Sequence, residues 1–245
     1  MAAATRVRGI VSAATAKAWL AAIDAHPAWS HRSPDPGGDF NAHSSSLRVA
    51  AVVGLDVAAI VQSVVAGAVG ALCHAQLGDA LACDIDRCWV RRQYAPCRYP
   101  PGHAPHSWHQ DGALGFDFLD ASSSATTRPA LLSMLTCWIA VTPCGVEAAG
   151  LEFIDREYDS LLPLSALADD AVRARHHERE FARPLLQAGD ALVFDGGMLH
   201  HTHVRSDMPL DRTSLELRFF AAGSIPARLR HGRFLHLTPI PETYR

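Results

Sequence analysis

Of the 22 basic residues in this 245-residue chain only one is a lysine, Lys17. It stands in a stretch spaced like an amphipathic surface helix, far in sequence from every motif with chemical character. That scarcity argues against a lysine Schiff base, and so against pyridoxal chemistry, and against a phosphate-gripping P-loop lysine. Positive charge is not in excess either. The formal net charge is −3, which gives no electrostatic footprint for nucleic acid or an acidic membrane surface. The six cysteines (73, 83, 88, 97, 137 and 144) include no C-x-x-C pair and no zinc-ribbon spacing, so they read as reduced, mostly buried thiols. No apolar run reaches the roughly 20 residues a bilayer span needs. The alanine-rich start has the look of an export signal, but Lys17 interrupts it, and Ile10, Val11, Ala14, Trp19, Leu20 and Ile23 suit a helix face better. The expectation is a soluble, cytoplasmic protein whose partner is a small molecule; oligomeric state stays open.

What is present is a large apolar fraction, 49%, enough for a substantial core. Residues 12–26 predict a helix with Ser12 as N-cap, and 30–46 have turn composition. Residues 56–78 form the longest helical candidate. Beyond them the texture changes to short β-prone runs at 83–94, 114–119, 131–142, 150–154, 191–195 and 213–221, divided by Pro, Gly and Ser. A charged segment, 156–184, reads as an insertion between strands. The prediction is a single domain over 1–245, with a helical part to about 80 and a β core from about 81 to 222. Its class is mainly β with flanking helices, as a barrel or jelly roll.

The chemistry concentrates in two places. In "HSWHQDGALGFDF" (106–118), His109 and Asp111 sit two apart, a spacing that on a strand aims an imidazole and a carboxylate at one point. That would be two-thirds of the facial triad of non-haem iron oxygenases. The second place is "GDALVFDGGMLHHTHVRSDMPLDRTSLELRFF" (189–220), with His200, His201 and His203 and then Arg212-Thr213-Ser214. Alternation puts Arg212, Ser214, Glu216 and Arg218 on one strand face and Thr213, Leu215, Leu217 and Phe219 on the other. An arginine with a hydroxyl beside it binds a carboxylate well.

In combination these motifs resemble the phytanoyl-CoA dioxygenase-like family of Fe(II)/2-oxoglutarate-dependent oxygenases, over about residues 80–222. The likeness is carried by "WHQDG", "WIAVTPCG", "GLEF", and "GDALVF" leading to "LHHT" and "DRTSLELRFF". It implies a double-stranded β-helix (cupin-like jelly roll) core holding Fe(II), with 2-oxoglutarate and O2 as co-substrates. It makes His109 and Asp111 the first two iron ligands. The family's L-H-x-T makes His200, after Leu199, the third, with His201 as the alternative. Arg212 becomes the 2-oxoglutarate anchor, assisted by Ser214, and Gln110, Gln93 and Thr202 become further co-substrate contacts. The implied reaction is hydroxylation of an unactivated C–H bond of a small metabolite or biosynthetic intermediate, releasing succinate and CO2; desaturation or cyclisation is open to the same chemistry. Because Asp111 is present, halogenation is disfavoured. A departure is "DREYDSLLP" (155–163), where many relatives carry a PGSH-like turn.

Two alternatives stand beside this reading: a cupin-like isomerase or hydrolase, and a catalytically silent binding relative. Trp108 and Trp138 are pocket wall or core, and His103 and His106 belong to an approach loop. His176-His177 reads as solvated. Asp117, Asp120 and Arg128 flank a lid-like loop, and Arg92, Arg128 or Arg218 could meet an acidic substrate group.

Overall fold

The computed structural model describes residues 4–31, 39–41, 44–113 and 131–237. The strand expected at 114–119, the residues Asp117, Asp120 and Arg128, and part of the 30–46 loop lie outside these.

Twelve strands are described: β1 (Ala4–Val7), β2 (Phe40–Asn41), β3 (Ser46–Arg48), β4 (Leu81–Asp84), β5 (Trp89–Gln93), β6 (Met134–Ala140), β7 (Gly150–Ile154), β8 (Phe181–Ala182), β9 (Ala191–Asp195), β10 (His200–His203), β11 (Arg212–Ala221) and β12 (Phe234–Leu237). All pairings are antiparallel. The larger sheet runs β1-β9-β6-β11-β5-β3-β2, with β4 on β11 and β12 on β4; the smaller runs β10-β7-β8. Two antiparallel sheets closed face to face form the jelly roll of a double-stranded β-helix, as the sequence predicts.

The helices lie on the outer face of the larger sheet. α1 (Ala13–Asp24) starts where Ser12 Oγ accepts a hydrogen bond from the Thr15 backbone N–H at 3.0 Å, as expected of an N-cap. A short α2 (Ala28–His31) follows. The single helix expected over 56–78 is two, α3 (Val57–Val65) and α4 (Ala68–Leu77), bent by 82°. The corner follows from two glycines. Gly67 has an extended backbone, and a Cβ on Gly70 would lie 1.8 Å from the Val65 carbonyl oxygen. Among the described residues no single helix is long and apolar enough to cross a membrane. Ile60, Val61, Val64, Val69 and Cys73 of this pair are buried against Val90, Leu135, Cys137, Leu215, Leu217 and Phe219 of the sheet. Burying such a side chain contributes about 1.5–3 kcal/mol each, which is why the helices flank the sheet.

A second cluster fills the space between the sheets: Trp138, Leu192 and Phe194 from the larger, Leu151 and Phe153 from the smaller. β11 is buried along both faces. The boundaries at 81 and 222 are not those of the sheet: β1, β2 and β3 join from upstream, and β12 extends it downstream. The insertion contains α5 (Asp169–Arg175) and 3-10 turns at Leu164–Ala166 and Glu178–Glu180.

Candidate metal centre

His109 and Asp111 are not on a regular strand, contrary to the spacing argument. His109 makes one isolated bridge with His200: its N–H donates to the His200 carbonyl at 2.9 Å, and the His200 N–H returns a bond of 3.1 Å. Asp111 then opens a 3-10 turn (Asp111–Ala113). The turn is held in place because Gly112 lies flush against Gly196. Its N–H donates to the Gly196 carbonyl at 2.8 Å, and a Cβ on Gly112 would sit 2.8 Å from that same oxygen. The glycines of "HQDG" and "FDGG" are thus two halves of one close contact.

The bridge brings His109, Asp111 and His200 together, with one donor atom from each within 4.8 Å of the others. Both imidazoles are oriented the same way. His109 Nδ1 lies 2.7 Å from the Ser107 carbonyl and His200 Nδ1 lies 3.0 Å from the Met198 carbonyl. Each Nδ1 therefore carries the proton and each Nε2 is left with a free lone pair, the arrangement that metal-ligating histidines adopt. Asp111 accepts from Thr136 Oγ1 at 2.6 Å through one oxygen and from Arg218 Nη2 at 3.4 Å through the other. Thr136 is the one polar residue of "MLTCWIA", and sequence reasoning passed over it.

Charge states follow from these surroundings. Burial and then the neighbouring His200 push His109 down to about 3, and burial likewise lowers His200. For Asp111, burial acts upward, but Arg218 first, then the two histidines and Thr136, hold it well below the usual carboxylate range. Two neutral imidazoles and one carboxylate form a donor set for a borderline divalent ion with open positions.

His201 faces the opposite way. It stacks on Trp108 with centroids 4.0 Å apart, and its Nε2 contacts Glu152 Oε2 at 2.6 Å. Glu152, His201 and His203 also converge, but Arg173 and Arg183 already neutralise that carboxylate, so the group is an ion-pair knot and a poor place for a cation. Thr202 shares the inward side of β10 with His200.

On β11 the inward residues Arg212, Ser214, Glu216 and Arg218 are all buried. Glu216 pairs with Arg91 at 2.5 Å and with Arg218 at 3.4 Å. Arg218 keeps an Nε unpartnered among the described residues, but its two terminal nitrogens are engaged; Arg212 and Ser214 are left with less. Arg212 lies over the Trp138 ring at 5.1 Å, yet its Nε and Nη1, and Ser214 Oγ, are buried with no hydrogen-bond partner among the described residues. Burial lowers the guanidinium only to about 10, so it stays charged. A buried cation whose donors have no partner among the described residues favours an anion beside it.

Several expectations need correction. Gln110, expected at the co-substrate, donates to the Ser160 and Gly197 carbonyls and accepts from the Leu162 N–H, so its amide is consumed as a brace. Gln93 is opposite Arg212 in the ladder and donates to Tyr99 Oη at 3.1 Å. Trp108 packs under the insertion and away from the centre, whereas Trp138 lies between the sheets. His106 is more than approach loop: its ring is 5.3 Å from that of His109, and its Nε2 accepts from Arg91 Nη1 at 2.8 Å. His176 is buried, with Tyr158 Oη 3.0 Å from its Nε2 and Glu180 beside its Nδ1, because the insertion folds over it. Arg92 is paired with Asp24 of α1 on the outer face, and Arg218 with Asp111, so neither is free to meet substrate.

A jelly roll that brings together a His/Asp/His cluster and a buried arginine without a partner among the described residues is an arrangement able to hold a metal ion and an anion. The family profile for phytanoyl-CoA dioxygenase (PhyH) matches residues 4–209. The chain belongs to that family, whose enzymes use Fe(II), 2-oxoglutarate and O2. No curated protein matches it by sequence.

Among solved structures it is similar to the epimerase SnoN from nogalamycin biosynthesis, crystallised with Fe3+, alpha ketoglutarate and nogalamycin RO. The TM-score is 0.58 at 16% identity, covering 99% of this chain and 87% of that one. EctD from S. alaskensis, with 2-oxoglutarate and 5-hydroxyectoine, gives 0.56 at 16% identity over 91% and 73%. The carbocyclase SnoK gives 0.52 at 13% over 97% and 87%. At such identities the likeness speaks to the fold alone.

Proposed function

We propose that this protein oxidises an unactivated C–H bond of a small metabolite or biosynthetic intermediate, with hydroxylation as the outcome and succinate and CO2 released from 2-oxoglutarate. When bound, the iron supplies the chemistry that couples decarboxylation of the co-substrate by O2 to that oxidation. His109, Asp111 and His200 hold the metal; their Nδ1 and carboxylate partners keep the imidazoles neutral and the carboxylate ionised, so no proton need be displaced. Arg212 and Ser214 grip the distal carboxylate of 2-oxoglutarate, and Thr202 faces inward on β10 beside His200. Trp138 beneath Arg212 and Phe194 against His200, at 4.9 Å, exclude water from the reacting region.

The observation that carries this reading is the orphaned Arg212–Ser214 pair in the same barrel as the His/Asp/His cluster. An isomerase or hydrolase of the same fold would use Arg212 for a different acid, so binding of 2-oxoglutarate itself separates the readings. The test is anaerobic addition of Fe(II) and 2-oxoglutarate. A weak visible charge-transfer band is expected in the wild type and its loss in Arg212→Ala. Absence of the band, together with no calorimetric binding of 2-oxoglutarate, refutes the reading. A metabolite screen scored by succinate formation then finds the substrate.

A further inference from the structure

Four residues beside the candidate ligands, Trp108, Gln110, Leu199 and His201, lead away from the centre to the 156–184 insertion or to groups it holds. Trp108 and Leu199, which precede His109 and His200, are buried in a separate apolar cluster with Ile154, Leu167 and Val172, against which Leu162 and Phe181 pack. Trp108 Nε1 donates to Asp169 Oδ1 at 2.9 Å, in the first turn of α5. Gln110, between His109 and Asp111, accepts from the Leu162 N–H at 2.7 Å and donates to the Ser160 carbonyl at 3.2 Å. His201, after His200, stacks on Trp108 and bonds Glu152, which Arg173 of α5 also holds at 3.1 Å.

The segment that carries His109 and Asp111 is fixed at its far end, where Gly112 bonds Gly196 and Asp111 is held by Thr136 and Arg218. Its near end, Trp108 to Gln110, leans on the insertion and on Gly197. His109 contributes one isolated bridge, and no ladder continues from it. Without the insertion contacts the near end around His109 would have more backbone states open to it, and metal binding would have to order them.

We propose that the insertion is a clamp that presets the metal-binding geometry, with Trp108 and Gln110 as positioning residues and Asp169 as the remote anchor. This rests on reading His109, Asp111 and His200 as the metal site. Because coupling between two sites is reciprocal, metal binding must in turn stabilise the insertion. The segment that departs from the family's usual turn thereby acts on the centre without touching it.

Asp169 is exposed and remote from the core, so Asp169→Ala is expected to fold, while Asp169→Asn keeps an oxygen able to accept the Trp108 N–H. The probe is Co(II) alone, titrated by its visible d–d absorption, with hydrogen exchange followed in peptides covering 164–182. Wild-type protein is expected to bind Co(II) and to show slower exchange there on binding. Asp169→Ala is expected to bind several-fold more weakly, less than the roughly tenfold or more for losing a direct partner of a metal ligand because Asp169 acts through Trp108, and to lose much of that protection. Asp169→Asn should recover most of both, and Gln110→Met should behave like Asp169→Ala. If Asp169→Ala binds Co(II) like wild type with unchanged protection, even with a lowered Tm, the clamp is refuted and its role is structural only. If the wild type itself gives no Co(II) spectrum, the metal reading falls and the clamp with it.

Discussion

Replacing Arg212 with methionine should make the ligand-free protein more stable while removing its affinity for 2-oxoglutarate. Arg212 is 3% exposed, and its Nε and Nη1 are buried without partners. Each unsatisfied buried donor costs about 1–3 kcal/mol, so relieving two is worth roughly 2–6 kcal/mol. Against that stands the stacking of the guanidinium over Trp138 at 5.1 Å, worth about 2 kcal/mol when desolvated. Methionine fills much of the space and keeps some of that contact. The balance is a gain of up to about 4 kcal/mol, which at this chain length raises Tm by roughly 3 °C per kcal/mol. The assay is thermal unfolding of metal-free protein with and without 2-oxoglutarate, beside calorimetric binding. In the wild type, a ligand at a hundred times its Kd adds about 2.7 kcal/mol, which should be absent from the variant. A variant that is clearly less stable than wild type, or that still binds 2-oxoglutarate, would show that Arg212 has a structural partner and would refute the argument.

Asp111→Ala should abolish succinate release while the protein stays folded. Its stability cost in urea should be about 2 kcal/mol, less than the roughly 3–5 for stripping a buried ion pair, because Glu216 still faces Arg218. Glu152 contributes to the acid limb: burial acts upward, but His201 first and then Arg183 bring it from an ordinary 4.5 to about 2. Its contribution is therefore fully present above about pH 4.5 and lost as pH falls through about 2; melting curves across that window should flatten in Glu152→Gln. Gly70→Ala should push α4 away from the Val65 carbonyl and lower stability by about 1–3 kcal/mol, measured by chemical denaturation; an unchanged midpoint would mean that the helix corner yields freely.

Much of this was legible without coordinates, for reasons of periodicity. Alternation along "RTSLELRFF" placed Arg212, Ser214, Glu216 and Arg218 on one side, and β11 does so. Apolar runs marked β6, β7 and β9 because strands buried on both faces are apolar throughout. The short strands β2, β3, β10 and β12 carry too few residues to show a period and are made by their partners, so they were not legible. The helix corner at Gly67 was hidden too, since both halves present apolar faces to one sheet.

Sequence alone determined the kind of chemistry: one lysine, histidines with an aspartate at ligand spacing, and an Arg-x-Ser far downstream are matters of composition and order. Tertiary structure decided which groups are available for it. Gln110 and Arg218 are taken up by neighbours, and Arg212 and Ser214 are left without any among the described residues. His200 is turned inward and His201 outward. Partnership between buried polar groups depends on contacts between residues distant in the chain, and no local pattern encodes it.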